Sequence, residues 1–273
     1  MKQSVFAVIF CVFLLGSTTL QAKITVQAGD VQGLIDAINQ ANMTEGPVTI
    51  EIEPNPEGEN TFIFSEPYQG SDSALPAITS DITITSPPGS FEKIGFSTPN
   101  DQEHPFRLMR IESGTVQLSE LIIAGFGSPE GDGGAILMTG DSGMSAFRCE
   151  CVNNKAGHNG GAVGLMGNSI AEFNDCSLER NNAGIVGGGI SIEDNAGAVD
   201  LESVFEENLA GVFGCAVNVD STLQNPKLRN GAFHTWNSSY HDRCSSVLIE
   251  NPKGKVTAES STFLHSNNGI DST

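Results

Sequence analysis

The chain has 273 residues, 31 of them glycine, with 17% charged residues and a formal net charge of −20 at pH 7. That length admits one elongated domain with a large core and does not require two compact ones. So acidic a surface is repelled by phosphate backbones and anionic lipid heads, which excludes nucleic acid and the membrane surface as expected partners.

Residues 1–22 read as a secretory signal: Met1-Lys2-Gln3, an apolar run from Val5 to Gly16, and a small-residue exit ending at Ala22. The expected mature chain is 23–273, secreted or held at the cell surface or in the periplasm. Ile24-Thr25-Val26 predicts a strand. Asp30 is placed to N-cap a helix over 30–42 with Val31, Leu34, Ile35 and Ile38 on one face. Such a helix would cover the raw strand edge that a stack of strands exposes at its end. Val48–Ile52, Asn60–Ser65 and Ile82–Ile84 alternate as strands should, and the proline-rich stretch 86–105 predicts a protruding loop.

From Gly133 onward the chain copies itself. Gly133-Gly134-Ala135-Ile136, Gly160-Gly161-Ala162-Val163, Gly187-Gly188-Gly189-Ile190 and Gly214-Cys215-Ala216-Val217 recur every 27 residues. Met138, Leu165, Ile192 and Val219 keep the same interval, as do Asn154, Asn181 and Asn208. A period in this range, built of short alternating apolar runs and no long helical stripe, predicts a parallel β-helix of about eight coils. The column of Ile136 extends backward at the same interval to Met109 and Ile82. Beyond Val219 the spacing loosens, and 225–243 reads as an irregular loop before Val247-Leu248-Ile249.

The pairing of Gly-Gly-Ala-Ile/Val with Phe-x-x-Asn, seen whole in Phe205-Glu206-Glu207-Asn208, resembles the repeat of polymorphic outer-membrane proteins and related secreted right-handed β-helix proteins. That resemblance implies an all-β, right-handed, single-stranded parallel β-helix and an adhesin-like role. Members of that family end in a membrane barrel. No series of lipid-facing strands of about 10 residues follows here, so the expectation is no integral membrane insertion.

Several constellations invite a functional reading. Asn154, Asn181 and Asn208 suit a structural ladder better than a ligand row, since stacked amides satisfy neighbouring peptide groups. Cys149 with Cys176, and Cys215 with Cys244, fall on neighbouring coils of an exported chain and are disulfide candidates, leaving Cys151 inward and odd. No histidine spacing accompanies the cysteines, so no metal site is expected, and Ca²⁺ on the acidic surface has no loop motif behind it. Gly157-His158-Asn159-Gly160 resembles the Gly-His-Gly of β-helical polygalacturonases, but the aspartate pairs those hydrolases use are absent from this sequence. Lys155, Arg148 and Arg180 sit on successive coils as isolated cations.

The densest unusual cluster is His234, Trp236, Tyr240, His241, Asp242 and Arg243, which suits sugar stacking or a protein hot spot. Together these readings predict an exported binding protein without catalysis or cofactor, whose partner is an extracellular glycan or a surface protein. The alternative is a polysaccharide-active β-helix lyase, epimerase or hydrolase.

Overall fold

A computed structural model describes residues 21–56, 60–86, 94–99 and 106–221, together with six short strands beyond Ser221. The chain winds into a mostly-β parallel solenoid of about seven turns with one N-terminal helix. Every strand pair is parallel among the described residues, as successive passes of a coil require. One wall is a seven-stranded sheet that includes Met109–Ile111, Ile136–Met138, Val163–Leu165, Ile190–Asp194 and Val217–Ser221. The other walls are a thirteen-stranded sheet and a short four-stranded corner sheet.

The 27-residue period is the length of one coil. Ile136 pairs with Val163, Val163 with Ile190 and Ile190 with Val217, residue on residue, and all four side chains are buried. Met109 continues this column below Ile136, and Val247 and Ile270 continue it above Val217. Burying an Ile or Val fully contributes about 1.5–3 kcal/mol, against about 0.5–1.5 net for a peptide hydrogen bond. The inward column therefore sets the register, and the hydrogen bonds follow it.

Ile82 does not belong to this column. It lies in Ile82–Thr85 of the thirteen-stranded sheet, between Val48 and Val116, and Ile78 stands beside Ile111. The early coils are 34 residues long, from Val48 to Ile82 to Val116. A backward count at the later period thus lands on the wrong wall. Strand alternation has period two, so a mis-stepped column still looks apolar.

The predicted loop 86–105 is likewise not all loop. Ile94–Ser97 is a strand paired with Thr61–Ile63 and Leu121–Ala124, with Ile94 and Phe96 buried. Phe96 stacks on Phe62 with ring centroids 5.2 Å apart, and Phe64 lies 6.3 Å from Phe96 and 6.0 Å from Phe126. This aromatic column fills the early coils. Within 225–243, Lys227–Arg229 and Ala232–His234 are strands as well, the second in register with Val204–Glu206.

The helix α1 spans Val31–Asn42, with Asp30 as N-cap accepting from the Gly33 amide at 2.9 Å. Leu34, Ala37, Ile38 and Ala41 are buried against the first strands, Ala22–Gln27 and Val48–Glu53, so the apolar stripe joins the core at the N-terminal end.

Candidate functional site

Of the aromatic and charged cluster expected near Trp236, His234 is the last residue of a strand whose backbone pairs with Glu206 and Leu264. Trp236, Tyr240, His241, Asp242 and Arg243 lie outside the described residues.

The asparagine column is a ladder inside the coil. Asn154, Asn181 and Asn208 are wholly buried. The Asn154 Nδ2 donates to Asn181 Oδ1 and the Asn181 Nδ2 to Asn208 Oδ1, each at 3.0 Å, while the same oxygens accept the backbone amides of Asn154 and Asn181. The left-handed residues of this corner are the ones just before, Asn153, Arg180 and Glu207. With both amide groups engaged, the ladder offers nothing to a ligand.

Cys149, Cys151 and Cys176 are buried free thiols, which overturns the expected Cys149–Cys176 bridge. In-register parallel strands stand about 4.8 Å apart with their Cα–Cβ bonds parallel, whereas a disulfide draws the Cβ atoms to about 3.8 Å. The stacked pair satisfies itself otherwise: Cys149 Sγ donates to Phe147 O at 3.5 Å and Cys176 Sγ to Ala146 O at 3.4 Å. The hydrogen bond with Cys176 and burial push the Cys149 thiol up, and burial does the same to Cys151. Cys215 is buried, and Cys244 lies outside the described residues.

The three cations do not converge. Arg148 pairs with Glu120 at 3.1 Å, Arg180 with Glu179 at 3.2 Å, and Lys155 sits in a third column between Gly127 and Asn182. His158 is exposed at a corner, its backbone amide bonded to Gly131 O.

What the fold does assemble is a sheltered row on the outer face of the seven-stranded sheet. Residues 110, 137, 164, 191 and 218 alternate with the inward column and point outward, in register as Arg110, Leu137, Gly164, Ser191 and Asn218. An outward face is ordinarily wet, yet Ser191 and Asn218 are buried. The cover is the glycine corner of each coil. Gly187, at φ +68°, turns the chain so closely over the following strand that a Cβ there would stand 2.5 Å from Ile190 O and 3.0 Å from Ser191 Cα. Only glycine fits, which is why the motif recurs.

Polar side chains collect where this row meets the corner. The Ser191 hydroxyl donates to Glu193 Oε1 at 2.7 Å, and Asn159 Nδ2 donates to the same oxygen at 2.9 Å. Asn159 is held in turn by its backbone amide on Asp132 Oδ1 at 2.9 Å and by the Val186 amide on its Oδ1 at 3.3 Å. Burial pushes the Glu193 carboxyl up, its hydrogen bond from Ser191 opposes this, and the Asp132 charge pushes it further up. Asp220 is exposed one rung beyond Glu193. Asn218, one rung beyond Ser191, is 1% exposed and its Oδ1 has no hydrogen-bond partner. The adjoining corner exposes apolar side chains: Ile185 at 42%, Val212 at 41% and Phe213 at 38%.

These residues were partly visible beforehand. Ser191 with Asn218, and Glu193 with Asp220, are polar residues at outward positions 27 apart. The reach of Asn159 across 34 residues to Glu193 follows from the corner geometry and has no periodic signature. Among the described residues no group of three or more His, Cys, Asp or Glu is placed to hold a metal ion, and no helix is long and apolar enough to cross a membrane. No family model, characterised protein or solved structure matches the chain.

Proposed function

We propose that the protein is an exported binding solenoid, without catalysis, that holds an extracellular glycan along the outer row from Ser191 to Asn218 and its apolar corner. One observation carries this reading: polar groups fixed by the Asn159–Glu193–Ser191 bonds lie beside a buried unpartnered amide oxygen and a rim of exposed Ile185, Val212 and Phe213. Sugars present both hydroxyls and apolar ring faces, so a rigid strip with both kinds of contact suits them. The resemblance of the repeat to adhesin-like secreted β-helix proteins, which are right-handed, and the signal-like first 22 residues agree with a role outside the cytoplasm.

A specific observation favours the enzymatic alternative: a carboxyl pushed up by burial beside the second carboxylate of Asp132 is the pairing that general acid catalysis uses. Incubating the mature chain with a polysaccharide panel separates the two, reading retained mass together with new reducing or unsaturated ends. Retention without turnover is expected, with Phe213→Ala weakening it. Turnover overturns the non-catalytic assignment, and failure to retain any polysaccharide overturns the glycan.

A further inference from the structure

The geometry points to a narrower ligand: we infer that the row between Ser191 and Asp220 takes an amino-sugar glycan through its protonated amines and rejects uronic or sulfated chains. This rests on the glycan reading above. The first support is the balance of donors and acceptors. The Ser191 hydroxyl and one Asn159 amide hydrogen are both committed to Glu193 Oε1. The acceptors left for a ligand are the other Glu193 oxygen, the Asp220 carboxylate one rung on, and the Asn218 Oδ1.

The second support is independent of the carboxylates. Asn218 is 1% exposed with its amide oxygen bonded to nothing, a position that is costly unless a donor arrives. It stands in the same outward row as Ser191, one rung away. A carboxylate or sulfate brought there would set acceptor against acceptor. An ammonium brings three donors and a charge opposite to that of Glu193 and Asp220.

The charge along the row agrees. Its cationic end, Arg110, lies three rungs from Ser191, about 14 Å at the spacing of parallel strands and beyond the Debye length of about 8 Å at physiological salt. Arg110 is also engaged there, with Asp72 at 3.7 Å and Glu112 at 3.3 Å.

The test uses the mature chain at about pH 6 and three short oligomers of equal length: deacetylated chitosan, its N-acetylated counterpart, and oligogalacturonate. Calorimetric titration should show the deacetylated oligomer binding at least tenfold more tightly than the acetylated one, with no binding of oligogalacturonate. Glu193→Gln should weaken the deacetylated oligomer about tenfold, whereas Glu45→Gln, which removes the same charge from an exposed loop, should not. A comparable loss in Glu45→Gln reduces the effect to net charge and overturns the inference. Equal affinity for acetylated and deacetylated oligomers overturns it too while leaving the glycan reading intact. So does binding of oligogalacturonate alone, whereas failure of all three and of the wider panel removes that reading as well.

Discussion

Replacing Asn181 by alanine tests the claim that the buried amide ladder holds the coils at fixed spacing. In the parent chain Asn181 Nδ2 donates to Cys151 O at 2.9 Å and Asn208 Oδ1 at 3.0 Å, while Asn181 Oδ1 accepts the amide and the Nδ2 of Asn154. Asn154 Nδ2 keeps its bond to Ile123 O, and Asn208 Oδ1 keeps the Asn181 amide. One backbone group is left orphaned in the interior, the Asn154 N–H, since the Cys151 C=O lies in a strand that still pairs in register with the next coil. At about 1–3 kcal/mol for such a group, the substitution should cost about 1–3 kcal/mol. A domain is stable by only about 5–15 kcal/mol, so the loss is large. The control is Asn168→Ala. Asn168 also bonds head to tail, to Asp141 Oδ1 at 2.6 Å and from Asn195 at 3.1 Å, but on the exposed side of the coil, where water replaces the lost partners. That change should stay within about 0.5 kcal/mol. Urea unfolding followed by circular dichroism reads both as shifts in midpoint. If Asn181→Ala costs no more than Asn168→Ala, the ladder is not what ties the coils together.

Glycine should matter by position. A Cβ on Gly161 would stand 2.2 Å from Gly188 O and 2.6 Å from Asn182 N, whereas Gly46, at φ +85°, has nothing within 4 Å. Gly161→Ala should therefore lower stability by about 2–3 kcal/mol and Gly46→Ala by about 1, and equal losses on thermal unfolding would contradict the corner packing. Cys149, Cys151 and Cys176 should resist an alkylating reagent in the native protein and react once it is unfolded, because they are buried thiols. Mass spectrometry counts the adducts, and fast labelling of the native chain would refute their burial. Because the folded chain raises the Glu193 carboxyl, it binds that proton more tightly than the unfolded chain does, and stability falls as pH rises from the ordinary glutamate range through the raised value. Glu193→Gln removes that loss, so melting temperatures of the two proteins between about pH 4 and about pH 8 should diverge in its favour as pH rises, and parallel profiles would show that Glu193 is not desolvated.

The later coils were legible because their length is constant. Ile136, Val163, Ile190 and Val217 are one column in the sequence and one column in the fold. The early coils were misread because 34-residue turns break the period, so Ile82 moved to another wall and Ile94–Ser97 emerged as a strand within a presumed loop. The expected Cys149–Cys176 bridge failed for a different reason. Equal spacing places Cys149 and Cys176 side by side, but parallel side-chain vectors do not bring their Cβ atoms to bonding distance.

Period and alternation alone determined that this chain coils, which residues face inward over four successive turns, and where glycine had to turn the corner, since each depends only on repeat length and on the two-residue step of a strand. The outward row was decided by tertiary structure. Ser191, Glu193 and Asn218 become a sheltered site only when the Gly187 corner folds over their strand and Asn159 arrives from the preceding coil. Contacts made across columns leave no trace in a period, because the repeat records what stacks on what and is silent about side chains that reach sideways.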